Sequence, residues 1–544
     1  MSLKQFHSLL FCSLSIAACA SAQQFAAAGF HANHDSVPVS GTRPVLGTFA
    51  PTLHSALITT AESKSVLETT PRCRDWVGVT YGNSVLLTFI VYPERSDRAP
   101  VVFVSAKREG FNSWVRAVSD QVAADGFIAV AGDVLTNTGP GGGDSESFAT
   151  AKVRNAMLAR LGPAEVARRE KAIRDFSLAL PAADGKSAAL DLDSRARSIH
   201  AKSGVRAKDF PLSSEGWSEA MDFLTTQTGN HPQMGAAMQM GAGMMMGGEI
   251  AMGGKDPSEH AAHMGMLHGG VLLAQQGSRA SAGGGAATST IEKQPNLPAG
   301  HYTARATLAA SKLRKEWIDI PYGDIKLHTW VEYPAGEGKA GVIIVMQYGT
   351  GMDEWVRSVA DQLAQEGFIA VAPDAWSGTG PNGGGIDSFE FVDDAMRAGA
   401  KITGDEKQRR YKATWDWAMK LPRANGKSGS IGFCDGGGQS FRFAALNPAL
   451  NAAVVYFGTP PDDAEMARIK APVIGFYGEN DARVTSTVAP TIEKMEKLGK
   501  VYESHIYPKA THSFLYFQEM AGNPAAVLDS WPRAIAFLKK YLSN

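Results

Sequence analysis

The stretch Ile431-Gly432-Phe433-Cys434-Asp435-Gly436-Gly437-Gly438 decides the fold of this chain. A short apolar run leads into a glycine cluster with one cysteine at its centre. Gly432 and Gly436 each stand two residues from Cys434, which is the GxSxG pattern with sulfur in place of oxygen. Glycine is needed at these positions because a Cβ there would clash with the neighbouring strand and helix. The pattern predicts a nucleophile elbow with Cys434 on the strained turn. The alternative is a buried structural cysteine in a glycine-rich turn.

An acid and a histidine follow the cysteine in the order that a catalytic triad requires. Asp481 comes after the apolar run Val473 to Tyr477, and His512 comes after the alternating run Tyr502 to Tyr507. The intervals of 47 residues to Asp481 and a further 31 to His512 leave room for strand, helix and strand units. Taken singly, Asp481 is a common turn residue and His512 a polar loop residue. Together with Cys434 they are candidates for a triad.

Three motifs in this region resemble those of the dienelactone hydrolase family: GFCDGG from Gly432, YGENDARV from Tyr477 and ATHSF from Ala510. The resemblance covers roughly Trp317 to Leu542. It implies an α/β-hydrolase-type fold, with a mostly parallel sheet and helices on both faces. It also implies a Cys, Asp, His triad in Cys434, Asp481 and His512. The expected activity is hydrolysis of a carboxylic ester or lactone through an acyl-enzyme, without a cofactor or a metal.

The same reading assigns the oxyanion to two backbone N–H groups, those of Asp435 and Gly349. The Asp435 carboxylate is unusual beside a nucleophilic cysteine, and we expect it to disfavour the thiolate. Tyr348 and Trp376 follow predicted strands and are candidates for the pocket wall, although aromatic residues at such positions are often only core.

Two tyrosines depart from the family pattern. Tyr348 stands where the archetypal lactone hydrolases carry a glutamate that controls the thiol. Tyr516, a further pocket candidate, stands where they carry a substrate-binding arginine. These departures argue against a preference for the carboxylate-bearing dienelactone itself.

The secondary structure expected of the C-terminal half fits this fold. Gly341 to Met346 is a continuous apolar run, typical of a strand buried on both faces. Trp355 to Glu366 has the pattern of an amphipathic helix, and Phe368 to Ala372 that of the next strand. Strands that alternate with helices favour parallel pairing, and the carboxyl ends of such strands are where open α/β sheets bind ligands.

The N-terminal half repeats the C-terminal half at an offset of 241 residues, as Ser113 to Asp133 and Glu354 to Asp374 show. We therefore predict a tandem duplication, with a degenerate dienelactone-hydrolase-like domain over residues 60–227 and a catalytic one over 310–544. At this offset Asp193 stands opposite Cys434, without flanking glycines. We expect the first copy to pack against the second or to cap its pocket. An aspartate nucleophile at Asp193 is the alternative.

Residues 228–298 form a linker rich in glycine, alanine and methionine. Nine of the 19 methionines lie between Met234 and Met266, and four histidines lie within residues 231–268. Thioether and imidazole ligands suit copper, but residues spaced by glycine and alanine have no fixed ligand geometry, which favours a flexible linker. A membrane span is not supported, because the tract is rich in glycine and contains Glu249.

Residues 1–22 have the pattern of a signal peptide, with Lys4, the apolar segment Leu9 to Ala20 and a small-residue cleavage site. The apolar segment is too short to span a bilayer. The alternative is lipoprotein processing with a lipid anchor at Cys19. Either route exports the protein, to a bacterial periplasm or outside the cell. Ordinary signal cleavage would leave Cys73 and Cys434, whose disulfide would disable the proposed nucleophile.

The 544 residues suggest two or three domains. With 53 basic and 54 acidic residues, the chain shows no sign of a nucleic-acid partner. The expected partner is a small-molecule ester or lactone; the oligomeric state is left open. The motifs do not distinguish an ester or lactone hydrolase from a peptidase on the same fold. A further hypothesis is an exported, non-catalytic binding or scaffold protein that holds metal through its methionine- and histidine-rich linker.

Overall fold

A computed structural model describes residues 57–106, 109–193, 197–230, 293–294 and 296–543. The predicted signal peptide, the alternative anchor at Cys19 and the methionine-rich tract lie outside these residues. The described residues belong to one compact unit, Ala50–Asn544. None of their helices has the length and apolar character needed to cross a membrane.

The C-terminal lobe is built on an eight-stranded sheet in the order β15-β14-β13-β12-β10-β11-β9-β8. Its strands β8 and β9 pair antiparallel and β9 pairs antiparallel with β11, whereas the other neighbours are parallel. The strands are β8 Lys315–Tyr322, β9 Ile325–Glu332, β10 Ala340–Met346, β11 Ile369–Pro373, β12 Ala424–Phe433, β13 Ala452–Tyr456, β14 Val473–Asn480 and β15 Tyr502–Thr511.

Helices cover both faces of this sheet because its central strands are apolar on both sides. In β10, Ile343 and Val345 pack in one hydrophobic cluster, and Val342 and Ile344 pack in another on the opposite face. The helices of this lobe are α6 Ala304–Ala310, α7 Glu354–Gln365, α8 Val392–Gly399, α9 Gly404–Ala418, α10 Asp435–Leu446, α11 Asp463–Arg468, α12 Ala482–Lys497 and α13 Asn523–Leu542. The expected α/β-hydrolase-type fold is confirmed.

The N-terminal lobe has a seven-stranded sheet in the order β1-β2-β4-β3-β5-β6-β7. Its strands are β1 Arg74–Tyr81, β2 Ser84–Val91, β3 Ala99–Ser105, β4 Ile128–Gly132, β5 Ala183–Asp193, β6 Ser198–Ser203 and β7 Arg206–Pro211. Its helices are α1 Ser63–Thr69, α2 Ser113–Ala124, α3 Ala151–Leu161, α4 Pro163–Leu178 and α5 Ser214–Thr228. From α1 to β5, every helix and strand begins 241 residues before its counterpart in the C-terminal lobe. The fold is duplicated in tandem, complete in the second copy and partial in the first.

The two lobes diverge at the end of β5. Where β12 turns into helix α10, β5 is followed by strand β6, which pairs with it antiparallel from Asp193 opposite Ser198. Strand β7 then extends the same antiparallel arrangement. The first copy therefore has a hairpin at the position of the elbow. An aspartate nucleophile would require a strand-turn-helix at Asp193. Asp193 instead ends a strand that pairs antiparallel with β6.

The lobes share a core and a buried network of ion pairs. One hydrophobic cluster contains residues of both lobes, among them Ile90 and Phe457. Arg116 of α2 lies 2.7 Å from Asp393 of α8 and 3.0 Å from Glu146, and its side chain is 2% exposed. The indole N–H of Trp76 also donates to Asp393, at 3.3 Å. These contacts tie α8 to the N-terminal lobe.

We predict that Asp393→Asn lowers the free energy of unfolding by about 3 kcal/mol, because it leaves a buried guanidinium short of a counter-charge. The measurement is urea denaturation followed by tryptophan fluorescence. The control is Asp175→Asn, which removes an exposed pair with Lys171 and is expected to cost less than about 1 kcal/mol. Equal effects of the two substitutions would contradict the prediction.

Candidate active site

The nucleophile elbow is held together by close backbone contacts. Strand β12 ends at Phe433, α10 begins at Asp435, and Cys434 between them has φ 55° and ψ −116°. A Cβ on Gly432 would lie 1.9 Å from the carbonyl oxygen of Gly436, and a Cβ on Gly436 would lie 2.2 Å from that of Gln347. Because side chains cannot fit in these spaces, glycine at both positions allows the strained turn.

The structure brings the three predicted triad residues together at the carboxyl ends of neighbouring strands. Asp481 follows β14 and His512 follows β15. The Asp481 Oδ2 atom lies 2.5 Å from His512 Nδ1. A ring nitrogen of His512 lies within 4.8 Å of Cys434 Sγ. Cys434, Asp481 and His512 are 5%, 4% and 1% exposed, so their charges act in a site of low dielectric.

The surroundings favour a thiolate on Cys434 and a proton on His512. Hydrogen bonding with Cys73 lowers the pKa of Cys434 most; burial raises it, and the charge of His512 lowers it again, leaving it well below its usual value. Burial lowers the pKa of His512, but the charges of Asp481 and Cys434 outweigh burial and raise it to about 10. An ion pair between thiolate and imidazolium satisfies both shifts.

The Asp435 carboxylate, which we expected to disfavour the thiolate, is paired within the protein. It accepts hydrogen bonds from Lys407 Nζ at 2.8 Å and from Gln439 Nε2 at 3.3 Å. Burial raises the pKa of Asp435 most, but the charge and hydrogen bond of Lys407, the hydrogen bond of Gln439 and the charge of Arg483 together keep it below its ordinary value. Lys407 thus compensates the charge that the sequence places beside Cys434.

The two residues expected to form the oxyanion hole flank the nucleophile. Asp435 is the first residue of α10, so its N–H has no partner one turn earlier within the helix. A Cβ on Gly349 would have Cys434 Sγ as its nearest neighbour, at 3.8 Å. Gly349 lies in a turn closed by a 2.9 Å bond from the N–H of Gly351 to the carbonyl of Tyr348.

The three aromatic candidates for the pocket are buried core residues. Tyr348 lies in the same hydrophobic cluster as Cys434, stacks on Tyr516 with ring centroids 4.9 Å apart, and its hydroxyl lies 2.5 Å from Ser513 Oγ. The Tyr516 hydroxyl donates to Asp353 at 3.3 Å. Trp376 packs in a different cluster, with residues of the N-terminal lobe. The structure therefore places Tyr348 in the cluster of the nucleophile and Trp376 in the cluster shared with the N-terminal lobe.

Sequence reasoning missed two residues of the site, Cys73 and Arg483. Arg483 Nη2 lies 3.2 Å from His512 Nε2, 3.3 Å from Cys73 Sγ and 3.8 Å from Cys434 Sγ. Both cysteines in the described part of the chain are buried free thiols. Cys73, Cys434 and His512 offer three soft metal-ligand atoms within 4.8 Å of one another, but the guanidinium of Arg483 contacts all three residues.

The comparison with protein families matches part of the C-terminal lobe. Residues 327–542 match the model of the dienelactone hydrolase family. A putative carboxymethylenebutenolidase of Methylorubrum extorquens is 26% identical over 262 residues, which cover 45% of this chain and 87% of that protein. One from Salmonella typhimurium is 27% identical over 221 residues, 38% of this chain and 80% of that protein.

Two solved structures named after dienelactone hydrolases align with part of this chain. A putative dienelactone hydrolase from Klebsiella pneumoniae aligns with a TM-score of 0.39 and 24% identity, covering 42% of this chain and all of its own. The dienelactone hydrolase-like promiscuous phosphotriesterase P91 from metagenomic libraries aligns with a TM-score of 0.38 and 20% identity, covering 43% of this chain and all of its own.

We predict that Gly436→Ala disrupts the elbow, because its Cβ would meet backbone carbonyl oxygens that cannot move aside. Gly438→Ala is the matched control, since the nearest atom to its Cβ is 3.4 Å away. The expected result is a lower melting temperature and lost iodoacetamide labelling of Cys434 in Gly436→Ala only. Normal stability and labelling in Gly436→Ala would contradict the described elbow.

Proposed function

We propose that this chain, whose residues 327–542 match the model of the dienelactone hydrolase family, hydrolyses a carboxylic ester or lactone through Cys434, His512 and Asp481. Cys434 is the nucleophile, His512 the general acid and base, and Asp481 the group that orients His512. We also propose that the protein is exported, on the basis of its first 22 residues.

The observation that carries the triad is the buried 2.5 Å contact between Asp481 Oδ2 and His512 Nδ1. This contact fixes the imidazole with Nδ1 toward the carboxylate. Nε2 is then the nitrogen proposed to exchange the proton, and it lies 3.2 Å from Arg483 Nη2. Cys434 Sγ lies in the same buried cluster, at the start of α10. This arrangement supports the proposed roles of nucleophile, base and orienting acid in acyl transfer.

In the first half of the reaction, the Cys434 thiolate attacks the carbonyl carbon of the substrate. The carbonyl π electrons move to the oxygen, and the resulting oxyanion accepts hydrogen bonds from the N–H groups of Asp435 and Gly349. One such donor contributes about 3 kcal/mol to stabilisation of the transition state. The intermediate then collapses, the bond to the alkoxide breaks, and His512 gives its Nε2 proton to the leaving oxygen. A thioester on Cys434 remains.

In the second half, neutral His512 takes a proton from water, and the hydroxide formed attacks the thioester carbon. The second tetrahedral intermediate uses the same two N–H donors. Its collapse releases a carboxylic acid and restores the Cys434 thiolate beside protonated His512. Water and the ester or lactone are the only reactants in this proposed cycle.

Two features of the site bear on the substrate. Cys434 is 5% exposed, which favours small acyl groups over long ones. The Tyr348 hydroxyl is paired with Ser513 and the Tyr516 hydroxyl with Asp353, so these hydroxyls already have partners within the protein. We therefore propose small, uncharged esters and lactones as the first substrates to test.

The test is hydrolysis of p-nitrophenyl acetate, butyrate and octanoate, and of simple lactones, by the full-length protein. We expect turnover by wild type, loss to the uncatalysed rate in Cys434→Ala, and a decrease of about 10²- to 10⁴-fold in His512→Ala because general acid–base catalysis is removed. Asp193→Ala is the matched control at the corresponding position of the first lobe, with unchanged rates expected.

Absence of hydrolysis for all these substrates, with Cys434 also inert to iodoacetamide, would contradict the proposal and favour the non-catalytic binding protein. Hydrolysis that persists in Cys434→Ala but disappears in Asp193→Ala would place the chemistry in the first lobe instead.

A further inference from the structure

The N-terminal lobe reaches the proposed active site through the start of β1. Cys73 directly precedes this strand, and Asp75 is its second residue. We infer that the two lobes build the active site jointly: Cys73 and Arg483 are further catalytic residues that hold the Cys434 thiolate, and Asp75 positions Arg483. The inference rests on the proposed role of Cys434 as nucleophile and deepens it.

Arg483 touches both reacting partners of the triad. Its Nη2 lies 3.8 Å from Cys434 Sγ and 3.2 Å from His512 Nε2. The position of this nitrogen is fixed from the other end of the guanidinium, because Nη1 lies 3.5 Å from Asp75 Oδ2. The guanidinium is planar and rigid, so anchoring one nitrogen orients the others.

The anchors of Arg483 are themselves fixed by a β-hairpin of the first lobe. The guanidinium carbon lies 5.0 Å from the centroid of the Tyr92 ring, within the range of a cation–π contact. The N–H of Tyr92 donates to the carbonyl of Cys73 at 2.9 Å, which continues the pairing of β1 with β2. Cys73, Asp75 and Tyr92 are therefore parts of one rigid unit that faces the nucleophile.

A second contact ties this part of the first lobe to the acid of the triad. The N–H of Ala482, the residue after Asp481, donates to the carbonyl of Arg95 at 3.0 Å. Arg95 in turn donates to Asn230 at 2.6 Å and to the carbonyl of Gly126 at 2.8 Å, both in the N-terminal lobe. The start of α12, which carries Arg483, is thus docked on the first lobe independently of the side chains at the site.

The two thiols are expected to differ in protonation. The Sγ atoms of Cys73 and Cys434 lie within 4.8 Å of one another. Interaction with Cys434 raises the pKa of Cys73 most and burial adds to it, which favours the protonated form of Cys73 as the donor. Cys434 is the sulfur that His512 and Arg483 stabilise as a thiolate. Two further groups act on Cys434: Asp75, whose negative charge opposes the thiolate, and Tyr348, which burial keeps neutral. An S–H donor and a guanidinium on one buried sulfur favour its anion.

This arrangement gives the first lobe a role after the loss of its own elbow. Residues 73–75 lie outside the region that matches the family model, so the family resemblance does not include these groups. In the described residues, β5 and β6 form a hairpin where an elbow would be, whereas the β1–β2 hairpin is placed against the nucleophile of the second lobe. The contribution of the first lobe to catalysis is then to stabilise a charge rather than to react.

The test measures how the rate of Cys434 alkylation by iodoacetamide depends on pH in the full-length protein, with peptide mass spectrometry to separate Cys434 from Cys73. Removing a hydrogen-bond donor from the thiolate raises the pKa of Cys434. The acidic midpoint of the profile should therefore rise by about one pH unit in Cys73→Ala, a tenfold change in the ionisation equilibrium. Arg483→Met should raise the midpoint by at least as much.

Conservative and distant substitutions provide the controls. Cys73→Ser keeps a donor and should retain a midpoint near that of wild type, which a merely structural role of Cys73 would not predict. Arg533→Met removes an exposed arginine paired with Asp529 and should leave the midpoint unchanged. Should Cys73→Ala fail to fold, Cys73→Val fills the space without a donor and carries the same prediction.

Folded Cys73→Ala and Arg483→Met proteins with the wild-type midpoint would overturn the inference and leave these side chains as packing alone. Alkylation does not need turnover of an ester. If wild type hydrolyses no ester but the midpoints shift as expected, the proposed function fails and the joint construction of the site stands. If esters are hydrolysed and the midpoints do not move, the proposed function stands and the joint construction of the site fails.

Discussion

The close packing of α10 against strands β12 and β10 is the constraint on which the site depends. Gly432 and Gly436 allow backbone to approach backbone where any Cβ would collide. The turn between them forces Cys434 into a backbone conformation that side-chain-bearing residues rarely adopt. The strained conformation of Cys434 persists because the strand before it and the helix after it fix the backbone on both sides. The result is a sulfur held at the start of a helix, where the helix dipole and unpaired N–H groups favour an anion.

In the proposed mechanism, burial of the Cys434 thiolate governs the rest of the site. A thiolate removed from water is expensive unless positive charge and hydrogen-bond donors surround it. His512 supplies the charge from β15, Asp481 stabilises the charged form of His512, and Arg483 adds a second cation from the start of α12. Even Asp435, which would oppose the thiolate, is neutralised by Lys407. The same balance explains why the N-terminal lobe is docked at this point, since it provides Cys73 and the counter-charge that holds Arg483.

The sequence predicted most of the C-terminal lobe because the decisive signals there are local. The run from Gly341 to Met346 is observed as β10, Ala340–Met346, with side chains buried on both faces. The spacing of Cys434, Asp481 and His512 predicted residues that the structure brings together, since each stands at a strand end and parallel strands end at one edge. The repeat at 241 residues predicted the duplicated elements as far as β5.

The sequence did not reveal the contacts that depend on how the two lobes pack, because hydrophobic periodicity carries no information about packing between lobes. Cys73 was recognised only as a possible disulfide partner, and Arg483 only as a letter within the acid motif. Their contacts arise where the start of β1 in the first lobe meets the start of α12 in the second. Trp376 was expected at the pocket because it follows a strand, but α8 and the first lobe enclose it in the core between them. The partner of the Asp435 carboxylate was not foreseen because Lys407 lies on a separate helix, α9.

The central claim is that a buried Cys434 thiolate becomes acylated. Its most direct test is intact-protein mass spectrometry after brief mixing of the full-length protein with p-nitrophenyl acetate, followed by peptide mapping of the adduct. The predicted result is one acetyl group, located on Cys434, removed by hydroxylamine as a thioester should be, and absent from Cys434→Ala. An acetyl group on another residue that turns over at the rate of product formation would contradict the claim.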